Sequence, residues 1–74
     1  MRIDLQNDYI HAELIEDIKG KAAYAIVNNK SGNEIACVSY YPLWRRYVMV
    51  TDSPAVFDIG CLVSIIQLIK RAEV

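Results

Sequence analysis

The segment Tyr40-Tyr41-Pro42-Leu43-Trp44-Arg45-Arg46-Tyr47 gathers the single tryptophan, three of the five tyrosines and two arginines of this 74-residue chain. Planar rings beside guanidinium groups offer a stacking surface and anion donors together. That combination suits a base or nucleotide carrying a phosphate. Tyr40, Tyr41, Trp44, Arg45, Arg46 and Tyr47 are therefore the candidate residues for binding a ligand or partner. Arg45 and Arg46 are adjacent, so on a strand they point to opposite faces, and only one of them works beside Trp44 unless a second subunit supplies the other. The plainer alternative has the rings closing an open end of the core, with the arginines solvated or paired to Asp52 and Asp58.

Other constellations carry less chemistry. His11 is the one histidine, and on a helical wheel it falls beside Ile15 and Ile18, at the edge of a core. His11-Ala12-Glu13 matches the H-x-E half of a zinc deaminase signature, but the P-C-x-x-C half is absent. One histidine with the separated Cys37 and Cys61 would need carboxylates to complete a zinc site, so no metal is expected. Both cysteines lie in apolar segments and read as reduced, buried small side chains. Glu13, Glu16 and Asp17 read as a solvated acidic face. Gly20, Gly32 and Gly60 stand alone, without a phosphate-cradling pattern. No catalytic residue and no cofactor are assigned, and the chain reads as a non-enzyme.

Composition narrows the class further. Eight basic and nine acidic residues give a net charge of -1, a field too weak for non-specific nucleic-acid binding over the whole surface. A hydrophobic content of 54% excludes a disordered tail. Asp4, Asn7 and Asp8 interrupt any secretory leader. The most apolar stretch, Ile59 to Ile69, is shorter than the roughly 20 residues a membrane span needs. The expectation is one small cytoplasmic domain.

These residues need elements to hold them. Ile10, Leu14 and Ile18 recur at i, i+4, i+8, which predicts an amphipathic helix over 8–19, capped by Asn7 or Asp8 and stopped by Gly20. Lys21 to Asn29, Glu34 to Tyr41 and Trp44 to Thr51 read as strands, separated by the Asn28–Asn33 turn formers and by Pro42. Asp58 reads as the cap of a last helix running to about Ala72, with Lys70 and Arg71 complementing its dipole. The expected fold class is α+β: a helix, a three-stranded antiparallel meander and a C-terminal helix.

The last helix is too apolar for its place. Gly60, Ser64, Gln67 and Arg71 form one narrow polar stripe, and apolar side chains cover roughly 220° of the remaining arc. A surface helix needs a stripe only somewhat over 100° wide. Neither sheet face is polar, although a meander with one wet face should alternate. The surplus points to a homo-oligomer built on Leu62, Ile65, Ile66 and Ile69.

Asn29-Lys30-Ser31-Gly32, Tyr40 to Tyr47, and Val56-Phe57-Asp58 with Cys61-Leu62 give residues 28–70 a resemblance to small open reading frames of bacteriophages and mobile elements. The resemblance implies a virus-encoded cytosolic protein that acts by binding. It would either sequester a nucleotide-type signalling molecule or block a host defence complex such as a CRISPR effector. It supplies no catalytic residues. The element order also looks like a double-stranded RNA-binding domain. The lysine cluster that starts the last helix there is replaced here by Asp58-Ile59-Gly60-Cys61-Leu62, which argues against duplex binding.

Overall fold

Residues 10–18 form a β-strand, and the N-terminal helix expected there does not exist. A computed structural model describes residues 1–18, 20–51 and 54–73. Its elements are β1 (Arg2–Asp4), β2 (Ile10–Ile18), β3 (Lys21–Asn28), β4 (Glu34–Tyr41), β5 (Arg46–Val50) and α1 (Ile59–Ala72). The strands form a five-stranded sheet in the order β1-β2-β3-β4-β5, each neighbour antiparallel. The α-β-β-β-α expectation is thus replaced, among the described residues, by five strands and one helix.

The reason lies in the spacing. An i, i+4 repeat of Ile10 and Leu14 is one helical turn, but it is also two strand periods. Ala12 decides between them. It is fully buried between Ile10 and Leu14 on the same face, while Glu13 is exposed on the other. A bulge between Leu14 and Glu16 displaces Ile15, which is left exposed. The supposed capping residue performs a different task with the same chemistry. Asn7 Oδ1 accepts the N–H of Tyr9 at 2.8 Å and of Ile10 at 3.3 Å, a side-chain turn that feeds β2. Gly20 supplies a left-handed residue (φ 79°) to the β2–β3 turn rather than to a helix end.

The core lies on one face of the sheet. Pairing aligns Ile3, Ala12, Ile26 and Ala36 in one cross-strand row, and Leu14, Tyr24, Val38 and Met49 in the next. Helix α1 covers this face with Cys61, Ile65 and Leu68. Ser64 joins them, and its hydroxyl donates to the Leu5 carbonyl at 3.1 Å. Of the polar stripe read from the wheel, Gly60, Gln67 and Arg71 are exposed, and Ser64 is the exception, buried against the sheet. Glu73, just past α1, accepts the backbone N–H of Tyr47 at 2.9 Å. The helix thus crosses from the β1 side to β5. Its last carboxylate also closes part of an edge strand that would otherwise offer a free donor to another chain.

The start of α1 is fixed by Asp58, whose Oδ1 accepts the Cys61 N–H at 2.8 Å. That hydrogen bond holds the Asp58 carboxyl below its ordinary value of 3.8. A carboxyl depressed on folding contributes its stability above the unfolded value and loses it as pH falls through the lower folded one. Asp58→Asn keeps a capping oxygen but not the charge. Thermal melts of the two proteins should therefore differ by a constant amount at neutral pH, and the gap should close below about pH 4. A gap that ignores pH would remove the charge from the cap's role.

No helix among the described residues is long and apolar enough to cross a membrane.

Candidate functional site

The six aromatic and cationic candidates are split between two sites. Tyr41 caps the end of β4, and its carbonyl accepts the N–H of Trp44 at 3.1 Å and of Arg45 at 2.9 Å, which closes the β4–β5 hairpin. Pro42 opens this loop with its pre-set φ. The Trp44 ring meets the Tyr41 ring edge to face, with centroids 5.2 Å apart. Trp44 is 64% exposed and Leu43 81%, so the tip is an apolar knob. Tyr41 and Trp44 share a shallow hollow with Val48, Met49 and Val50 that contains no arginine.

Tyr40, Arg45, Arg46 and Tyr47 line a different groove of about 320 Å³, together with Lys21 and Glu73. Lys21 and Glu73 carry no signal in the sequence. They arrive through topology: Tyr24 pairs with Val38, which brings the start of β3 alongside the end of β4, and α1 ends over β5. The Lys21 ammonium stands 4.6 Å from the centroid of the Tyr40 ring. Tyr40 meets Tyr47 edge to face at 5.8 Å. Tyr47 itself is buried, and its hydroxyl donates to the Ala22 carbonyl at 2.9 Å. Burial, with smaller help from Tyr24, pushes the Tyr47 hydroxyl above its ordinary value of 10.0, so it stays a neutral donor that fixes the groove wall.

Arg45 occupies the left-handed region at φ 55°. A side chain other than glycine pays roughly 1 kcal/mol for that conformation. Arg45 in this conformation lines the same groove as Arg46 and Lys21. Among the described residues, three cations against one carboxylate, Glu73, make the groove positive on a chain of net charge -1. Arg45 and Arg46 make no ion pair among the described residues. Asp58 is used as the helix cap, and Asp52, the other carboxylate considered as a partner, lies outside the described residues.

A second cleft of about 510 Å³ adjoins the groove through the shared residues Lys21 and Tyr40. Its remaining lining is Glu16, Ala22, Ala23, Ser39 and Pro42. Both volumes fall within or near the range of small-molecule sites. The pair forms one surface with a cationic half and a mostly apolar half that ends in a carboxylate.

His11 lies on the opposite face of the sheet from α1 and is only 6% exposed. Asn29 Nδ2 donates to the Asp8 carbonyl at 3.0 Å, which turns Asn29 Oδ1 toward His11 Nδ1. Nε2 meets Glu13 Oε2 at 2.8 Å. Both partners accept, so the ring makes both bonds when both nitrogens carry protons. The arrangement ties β2 to the β3–β4 loop, and no group of three metal-ligating side chains occurs among the described residues. Cys61 is buried, and burial pushes its thiol above the ordinary range. Cys37 lies on the other face of the sheet, between the core residues Ala36 and Val38.

The four helix residues read as an oligomer surface also separate. Ile65 is 3% exposed and belongs to the core, and Ile69 is half-buried against it. Leu62 and Ile66 are exposed, and with them Ile59 and Val63, which the wheel alone did not single out. Comparison of the chain with protein-family models, curated proteins and solved structures gives no match.

Proposed function

We propose that the protein is a non-enzymatic binding protein that acts as a homo-oligomer and captures a compact anionic ligand of nucleotide type. The observation that carries this reading is the convergence of Lys21, Arg45 and Arg46 on one groove beside an apolar cleft. Guanidinium and ammonium groups bind phosphate oxygens through charge-assisted hydrogen bonds. The floor of Ala22, Ala23 and Pro42 suits the face of a base, and the Glu16 carboxylate at its edge accepts hydrogen bonds from an exocyclic amino group. Lys21 is free to follow the phosphate, because its contact with the Tyr40 ring is worth about 0.5–1 kcal/mol at an exposed site, less than one hydrogen bond to a charged group. The resemblance of residues 28–70 to phage reading frames fits either a signalling nucleotide of a host defence or a host defence complex as the target, and the cationic groove favours the nucleotide.

Calorimetry with a panel of cyclic nucleotides, cyclic dinucleotides and ADP-ribose derivatives tests this. Saturable binding that weakens with added salt supports it. Silence across the panel overturns it. Such silence favours the second reading, a blocker of a host defence protein, for which the exposed knob of Leu43 and Trp44 is the supporting observation.

A further inference from the structure

We infer that two copies of the chain pair through the outer faces of their α1 helices, antiparallel, about a two-fold axis passing beside Leu62 and Val63. This deepens the homo-oligomeric part of the proposed function and is independent of the ligand.

Ile59, Leu62, Val63 and Ile66 are all exposed, and their spacing of i, i+3, i+4, i+7 is that of one helix face. At 100° per residue this face lies opposite the one formed by Cys61, Ser64, Ile65 and Leu68, which are buried against the sheet. No modest rotation of α1 could bury both sets within one chain. Ile59 is 80% exposed at the first position of the helix, and Val56 just before it is more exposed still.

Three features select a second copy as the occupant. The stripe is symmetric about its centre: an antiparallel partner sets Ile59 of one chain against Ile66 of the other, and Leu62 against Val63, twice over. This is the self-complementarity an isologous interface requires. No charged residue occurs from Ile59 to Ile69, so neither copy brings an unpaired charge into the contact. The ends carry opposite signs. Asp58 caps the start of α1, and Lys70 and Arg71 lie in its last turn. Antiparallel pairing sets the acidic end of each helix near the basic end of the other, whereas parallel pairing would set like against like. Exposed Gly60 on the flank adds no bulk to keep the backbones apart.

The stripe alone is small beside a standard interface of roughly 800 Å² per partner. The association is therefore expected in the micromolar range and should be measured well above it. Light scattering at about 200 μM, far above such a dissociation constant, should give twice the chain mass of 8.4 kDa. Ile59→Lys and Ile66→Glu, each alone, should weaken association at least tenfold and leave folded monomers, with unchanged far-ultraviolet circular dichroism. Combined in one chain they should restore the dimer, because the introduced ammonium of one copy then faces the introduced carboxylate of the other at both ends. Should either charged variant fail to fold, Val63→Cys gives an independent reading, since beside the axis it should cross-link copy to copy on mild oxidation. A monomeric wild type overturns both this inference and the homo-oligomeric reading. A dimer that ignores Ile66→Glu overturns the helix pairing alone and moves the contact to the open face of the sheet. A double variant that stays monomeric overturns the antiparallel order.

Discussion

Replacing Ile65 with glutamate should unfold the chain, whereas the same replacement at the next residue, Ile66, should leave it folded. Ile65 is 3% exposed and Ile66 is 50% exposed. At position 65 the substitution gives up about 2 kcal/mol of apolar burial. It also puts a carboxylate without a partner among Ala12, Ile26 and Val38, which adds several kcal/mol. A domain of 74 residues holds on the order of 5 kcal/mol in total. The loss at 65 therefore consumes the whole stability, and the loss at 66 touches only a side chain already half in water. Urea titrations followed by tryptophan fluorescence and circular dichroism decide the point. Equal destabilisation at both positions would mean that the helix is seated in a different rotation.

Arg45→Gly should make the protein more stable and a poorer binder. Glycine adopts the φ of 55° at this position without strain, so the urea midpoint should rise by the equivalent of about 1 kcal/mol. The same change removes one of three cations from the groove. A hydrogen bond to a charged group is worth about 1.5–3 kcal/mol, so affinity for a bound nucleotide should fall roughly tenfold to a hundredfold. Removing Lys21 as well should abolish measurable binding and most of its salt dependence. This opposition of stability and binding is the signature of strain retained for function. If Arg45→Gly lowered stability, the guanidinium would be holding the hairpin rather than serving a ligand.

Much of the chain could be read before its structure, and the failures have definite causes. The strands from Lys21 onward and the helix ending at Ala72 show their period and their punctuation openly: the Asn28 side chain and Gly32 shape one loop, Pro42 another, and Asp58 caps α1. The segment 10–18 failed because Ile10 and Leu14 fit both periods, and the deciding residue, Ala12, is neutral in a hydropathy pattern. A single bulge at Ile15 then made the rest of the strand look helical. Strand β1 has three residues, too few to show any period. Within the candidate site, local sequence could supply Tyr40, Arg45 and Arg46, but not Lys21 or Glu73. Those two reach the groove by strand pairing and helix docking across the chain. The surplus of apolar surface was legible, but which side of α1 carries it was not. Ile65 and Ile66 look alike until the sheet chooses one of them.

In the proposed function, the groove between Lys21 and Glu73 is the place where a ligand is held. Amide chemical-shift mapping of the labelled protein, titrated with the tightest nucleotide from the calorimetric panel, tests this most directly. The largest perturbations should fall on Lys21, Ala22, Tyr40, Arg45, Arg46 and Tyr47, with those of Ile59, Val63 and Ile66 unmoved. Perturbations centred on Leu43 and Trp44, or spread without a focus, would contradict it.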